Sequence, residues 1–160
     1  MDTKKILFLS VILILLLGVS LFLWKTRTIN EGPITQQCVR HGPKGIHIHP
    51  HLEILIDGIP QKIPADIGVI SISCMRPIHT HDDSGILHIE SKMIQDFTLG
   101  DFFAIWNKTI HKSCIFEYCT GQGTLRMYVN GQENNEFENY IMRDKDEIKI
   151  EYIIKERSST

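Results

Sequence analysis

The sequence predicts an α+β domain in which a small mixed or antiparallel sheet packs against one helix. Alternating apolar and polar residues mark several short strands, and the hairpin dipeptides Asp57-Gly58 and Asn130-Gly131 end two of them. One later segment has apolar residues at helical spacing. Because strands outnumber helices and one helix can cover one face of a sheet, these observations indicate the α+β class.

An apolar segment precedes the domain. Ile6 to Trp24 form 19 residues without a charge, close to the ~20 residues that span a bilayer core. A cleavable signal peptide is the alternative, but the run is long for the apolar region of one. We therefore predict a transmembrane signal-anchor within residues 1–27, a linker over 28–44, the domain over 45–155 and a polar tail over 156–160.

The cysteines and the anchor together predict a single-pass membrane protein whose domain lies on the extracytoplasmic side. Disulfides persist in oxidising compartments. Four cysteines allow three pairings, and the sequence does not choose between them. Cys114 with Cys119 would close a local loop, and Cys38 with Cys74 would tie two histidine-bearing segments together. If the thiols are reduced, Cys74 is a candidate soft metal ligand.

The domain carries a net negative charge. Residues 1–27 hold four of the 17 basic and one of the 19 acidic residues, so the rest of the chain has a net charge of −5 with neutral histidine. It has no basic stripe and no nucleic-acid-binding motif, and we expect no nucleic-acid partner.

The first strand region begins at Gly45 and alternates regularly. Successive side chains on a strand point to opposite faces, so this region has a buried face and a histidine-bearing face. Pro50 cannot donate to a ladder, which predicts an edge or a bulge. Asp57-Gly58 then turns the chain into a short return strand, Ile59 to Ile63. The apolar face holds Ile46, Ile48, Leu52, Ile54 and Ile56, and the other face holds His47, His49, His51, Glu53 and Asp57.

A second strand, Ile67 to Cys74, leads into a hairpin with three histidines. Its turn, Asp82 to Gly85, has favourable turn chemistry. With a two-residue loop, position 79 faces 88 and position 81 faces 86, so His79, His81 and His88 share one face. The alternative is a type I turn with a bulge at Gly85, which moves His88 to the opposite face.

A helix is predicted to begin after Thr98, which suits the N-cap, with Asp101 at N3 as in a capping box. Its apolar stripe could be a ligand platform, but core packing is the more frequent role of such a stripe. The stripe is Leu99, Phe102, Phe103, Trp106 and Ile110. A loop over 107–123, a strand from Leu125 to Val129 and a last strand from Ile148 to Ile154 follow. This order resembles the ββ-α-ββ order of a β-grasp roll.

Six of the eight histidines lie in two short segments, and this pattern predicts a metal site. Histidine is the commonest metal ligand, and copper and zinc both accept neutral imidazole. Two histidines at i and i+2 on a strand share a face, so their rings can converge on one ion. The alternative is a polar surface on which Asp82 and Asp83 serve only the turn. The candidate ligands are His79, His81, His88, His47, His49 and His51, with Glu90, Asp82 and Cys74 as possible additions.

Four motifs of this region resemble those of a little-characterised group of exported or membrane-anchored histidine-rich domains of bacteria and archaea. They are HIHPHL at 47–52, IPADIG at 63–68, IHTHDDSGILHIES at 78–91 and FTLGDFFAIW at 97–106. The resemblance covers roughly residues 45–154. It implies that these segments form one unit, and it implies no particular activity.

Three functions fit these features. The first is a membrane-anchored domain that binds copper or zinc for capture, delivery or sensing. The second is a metalloenzyme in which three histidines leave a position for water and Glu90, Asp82 or Glu53 is the base, although no motif such as His-Glu-x-x-His supports it. The third is an accessory subunit of a membrane-protein complex, in which the anchor and the aromatic helix face matter more than any ion.

Overall fold

The computed structural model describes residues 12–18, 33–39 and 45–155. The chain divides into two units, Met1–Glu31 and Gly32–Thr160. Residues 12–18 are helical and exposed. Within the described residues, no helix has the length and apolar character that a membrane crossing requires. The rest of the predicted anchor, residues 28–32 and 40–44 of the predicted linker, and the tail over 156–160 lie outside the described residues.

The larger unit is α+β, as predicted, and its strands are short. They are β1 (Ile46–Ile48), β2 (His51–Ile56), β3 (Ile59–Pro60), β4 (Val69–Ser71), β5 (Cys74–Met75), β6 (Ile78–His79), β7 (His88–Ser91), β8 (Ile110–His111), β9 (Cys114–Ile115), β10 (Tyr118–Cys119), β11 (Gly123–Val129), β12 (Gln132–Asn134) and β13 (Glu147–Ile154). The largest sheet has the order β3-β2-β13-β11-β12. It is mixed, because β2 and β13 run parallel in its middle and the other neighbours are antiparallel.

The core lies against this five-stranded sheet. Leu52, Ile54 and Ile56 are buried on one face of β2, as the alternation predicted. The helix residues Phe102 and Phe103 belong to the same buried cluster. Each such side chain contributes about 1.5–3 kcal/mol when it leaves water, so the helix and the sheet hold each other in place.

The helix spans Leu99–Trp106 and begins at the predicted capping box. The Asp101 amide donates to Thr98 Oγ1 at 3.2 Å, and the Thr98 amide donates to Asp101 Oδ2 at 2.8 Å. The helix ends at Asn107, which has a left-handed backbone with φ 57°. The predicted stripe was therefore too long, since Ile110 lies in β8. Its interpretation as core is confirmed at Phe102 and Phe103.

Three segments differ from the predicted elements. The segment 67–74 is not one strand, because Gly68 turns the chain with φ 77° and β4 then pairs with β5. A Cβ at Gly68 would lie 2.6 Å from the Ile78 carbonyl oxygen. The loop over 107–123 contains a small sheet, β8-β9-β10. The return strand β3 is shorter than predicted and ends at Pro60, whose nitrogen has no hydrogen to donate.

Both disulfides that the sequence left open are formed, Cys38–Cys74 and Cys114–Cys119. The first of them fastens part of the predicted linker to the domain. Next to it, the Val39 amide donates to the Met75 carbonyl at 2.8 Å. Cys38 and Val39, which belong to the predicted linker, are therefore attached to the domain.

Candidate metal centre

Three short strands position the histidines. They form a second sheet, β1-β7-β6, with β7 in the middle. His79 pairs with His88 across β6 and β7, which is the register predicted for a convergent site. The two-residue loop predicted with it does not form, because Ile86 pairs with His51 and not with His81. His81 thus follows the end of β6.

The first histidine segment pairs with the other side of β7. His47 lies opposite Glu90 in β1 and β7, and the bridge between His51 and Ile86 keeps the same register. This register places His49 opposite His88. Both neighbours of β7 therefore bring a histidine next to His88, on one face of the sheet.

Five imidazole rings form a continuous group, which we call the histidine cluster: His47, His49, His79, His81 and His88. Ring centroids are 4.6 Å apart for His47 and His49 and 4.7 Å apart for His49 and His88. They are 4.5 Å apart for His81 and His88, 4.8 Å for His79 and His81, and 5.6 Å for His79 and His88.

The cluster contains two triads that could hold a metal ion. His47, His49 and His88 form one, and His79, His81 and His88 form the other. In each triad the possible ligand nitrogens lie within 4.8 Å of one another. A tetrahedral ion with bonds of ~2.0 Å keeps its ligand atoms ~3.3 Å apart, so binding would draw the nitrogens together by at most about 1.5 Å.

The surroundings of His88 favour the form that binds metals. Burial, together with the neighbouring imidazoles of His81, His49 and His79, lowers the pKa of His88 to about 4. The ring is therefore neutral at pH 7. A neutral imidazole has a lone pair for an ion, whereas an imidazolium has none.

Protein oxygens orient two other rings of the cluster. His79 is fully buried, and its Nδ1 lies 3.0 Å from the Arg76 carbonyl oxygen. A carbonyl only accepts, so Nδ1 carries the proton and Nε2 keeps the lone pair. His47 Nε2 lies 3.2 Å from Oε1 of Glu90, a carboxylate that is only 4% exposed. Histidine ligands commonly direct their second nitrogen to a carbonyl or carboxylate in this way.

Three candidate residues stand apart from the two triads. His51 directs Nδ1 to Glu147 Oε2 at 2.8 Å and Nε2 to the Ser84 carbonyl oxygen at 3.1 Å. Asp82 is exposed and accepts from the Ser84 amide at 2.9 Å, and hydrogen bonds from Ser84 lower its pKa. Cys74 is bonded to Cys38, so it has no thiolate to offer, which corrects the expectation of a soft ligand there.

Sequence reasoning missed two features of the centre. One is the Arg76 carbonyl, because nothing in a sequence marks a backbone acceptor. The other is the pairing of β1 with β7. The sequence held one signal for this pairing: polar residues alternate with apolar ones in both segments. In the observed register, His47 therefore lies opposite Glu90 and His49 opposite His88.

No protein-family model, curated protein or solved structure was found to match the chain. The resemblance to exported histidine-rich domains therefore stays a prediction. The fold and the site define an α+β domain whose histidine cluster could hold a metal ion.

Proposed function

We propose that this protein is a membrane-anchored, extracytoplasmic domain that binds one copper or zinc ion with its histidine cluster. The observation that carries the proposal is the convergence of three histidine nitrogens within 4.8 Å in a triad that includes the buried His79. Burying a polar ring costs free energy unless it has partners. The alternative, a polar surface that binds no metal, gives no reason to bury His79 beside two other histidines.

The ligand set supports Cu²⁺ or Zn²⁺. Both ions suit neutral imidazoles, whereas Cu⁺ prefers soft sulfur ligands. The disulfide of Cys74 removes the thiolate that would have favoured Cu⁺. Met75 is buried in β5. The five imidazoles of the histidine cluster are therefore the donors on which the proposal depends.

The compartment and the anchor are part of the same proposal. Two disulfides and no reduced cysteine among the described residues support an oxidising compartment. The uncharged run from Ile6 to Trp24 supports a membrane anchor for the domain.

Metal capture or delivery is supported better than catalysis. A metalloenzyme needs a base beside the metal-bound water. Glu90 contacts His47, Asp82 accepts from the Ser84 amide, and Glu53 is exposed on the five-stranded sheet. An accessory subunit that docks through the aromatic helix face is supported less, because Phe102 and Phe103 are buried.

The strand order also supports the β-grasp-like roll that the sequence suggested. Hairpin β2-β3 precedes the helix and hairpin β11-β12 follows it. The last strand, β13, then inserts between the two hairpins and runs parallel to β2. We propose this roll as the scaffold that carries the histidine cluster.

The metal content of the purified full-length protein tests the function. We expect about one copper or zinc ion per chain by elemental mass spectrometry, and we expect His79→Ala to bind the ion too weakly to retain it through purification. The matched control is His111→Ala, because His111 lies in β8 and contacts Ser113 at 2.9 Å, outside both triads. A wild-type protein without bound metal after incubation with either ion would contradict the proposal.

A further inference from the structure

The two triads of the histidine cluster share one residue, His88. We propose that they are alternative positions of a single ion, which moves from an outer to an inner triad while His88 stays bound. The outer triad is His47, His49 and His88, and the inner triad is His79, His81 and His88. This inference rests on the proposed metal-binding function and specifies how the ion is received and held.

The sheet order places His88 between the two other pairs of ligands. Because β7 lies between β1 and β6, His49 approaches His88 from one side and His79 from the other. The His88 ring is 4.7 Å from the His49 ring and 4.5 Å from the His81 ring. An ion bound to His88 is therefore within reach of either pair.

Charge favours one ion at a time. Imidazoles are neutral ligands and bring no negative charge to offset a second dication. A neutral imidazole has a single lone pair, so the His88 ring binds one ion at a time. A second dication nearby would also be repelled strongly in this partly buried place. Glu90 contacts His47 and could lessen this repulsion on the outer side only.

The two triads differ in exposure and in rigidity. In the outer triad, the His47 side chain is 46% exposed, and its Nε2 contacts the buried carboxylate of Glu90. In the inner triad, His81 is exposed, but His79 is fully buried and the Arg76 carbonyl fixes its ring. A pre-oriented buried ligand loses little conformational freedom on binding, so His79 makes the inner triad the stronger site. The outer triad has no buried ring and is the more accessible one.

The transfer conserves charge and ligand number. Two metal–nitrogen bonds, to His47 and His49, break as two bonds to His79 and His81 form. The bond to His88 persists, so the ion is never released to solvent. No electron moves, and the incoming imidazoles bind through lone pairs of their neutral form.

Copper(II) binding to full-length variants tests the shared ligand. The double variant H47A/H49A should still bind one Cu²⁺ with the electron paramagnetic resonance spectrum of the wild type. Its uptake from a copper–glycine complex in stopped flow should be at least about tenfold slower, because two accessible ligands are gone and His81 is the one exposed ring that remains in the two triads. H79A/H81A should bind one Cu²⁺ at least about 100-fold more weakly, with a different spectrum, since two tethered ligands are lost. H88A should lose affinity in both double-variant backgrounds.

Several outcomes would overturn the shared-ligand mechanism and leave metal binding intact. They are two Cu²⁺ ions per wild-type chain by native mass spectrometry, unchanged uptake by H47A/H49A, and complete loss of binding in H79A/H81A. A wild-type chain that binds no Cu²⁺ would instead refute the proposed function. His111→Ala should match the wild type throughout, and a circular dichroism spectrum of each variant separates loss of ligands from loss of the fold.

Discussion

His79 and His47 each direct one ring nitrogen to an oxygen of the protein, and this choice decides which nitrogen can bind an ion. His79 directs Nδ1 to the Arg76 carbonyl, and His47 directs Nε2 to Glu90. The lone pair is therefore on Nε2 in His79 and on Nδ1 in His47. His88 differs from both, because burial and the neighbouring imidazoles lower its pKa to about 4.

The lowered pKa of His88 predicts how the metal-free protein responds to acid. Between pH 6.5 and pH 4 the unfolded chain binds a proton at this position and the folded chain does not. The contribution to stability is therefore complete above pH 6.5 and is lost as the pH falls toward 4. In EDTA, the urea midpoint of the wild type should fall more between pH 7.5 and pH 4.5 than that of His88→Asn.

The control for this prediction is His111→Asn, which should keep the wild-type pH dependence because His111 lies outside the histidine cluster. Equal pH dependence in His88→Asn and the wild type would contradict it. Such a result would mean that burial and the neighbouring rings do not destabilise the charged form of His88.

At the scale of elements, the two disulfides close loops of very different length. Cys38 and Cys74 are separated by 36 positions, and Cys114 and Cys119 by 5. By the chain-entropy relation, the long loop stabilises by about 4 kcal/mol and the short loop by about 2 kcal/mol. We expect Cys38→Ser/Cys74→Ser to lower the free energy of unfolding more than Cys114→Ser/Cys119→Ser.

Urea unfolding of the two double variants measures this difference, with chelator present so that bound metal does not contribute. Neither variant removes a histidine, so both should bind metal when folded. The prediction fails if the short-loop variant is the less stable of the two.

The elements that the sequence predicted well are those with a local signal. The helix start at Thr98 and the strand β13 follow from a capping box and from alternation, and both formed where expected. The prediction of one strand over 67–74 was wrong, because the turn at Gly68 depends on a close approach to the Ile78 carbonyl. The triad with His79 was predictable from one hairpin. The second triad required a pairing between distant segments, which their matched alternation permits but does not specify.

At the scale of the whole larger unit, the sheet with the histidines shares the core of the five-stranded sheet. Ile78, Leu87 and Ile89 from the histidine hairpin belong to the same buried cluster as Leu52 and the helix. The Leu52 amide also donates to the Gly85 carbonyl at 2.9 Å, which joins the start of β2 to the end of the turn. An ion bound by the histidine cluster would therefore cross-link segments that unfold together.

This arrangement predicts that metal stabilises the whole domain and not only a loop. An ion that binds the folded chain alone adds about 2.7 kcal/mol at a concentration of 100 times Kd. For a domain of this size, the melting temperature should rise by an amount on the order of 10 °C. Differential scanning calorimetry of the full-length protein with Zn²⁺, followed by EDTA, measures the rise and its reversal.

His111→Ala should show the same rise, and His79→Ala should show little of it. An equal rise in His79→Ala would place the stabilising ion elsewhere, and no rise in any variant would mean that the histidine cluster does not hold zinc.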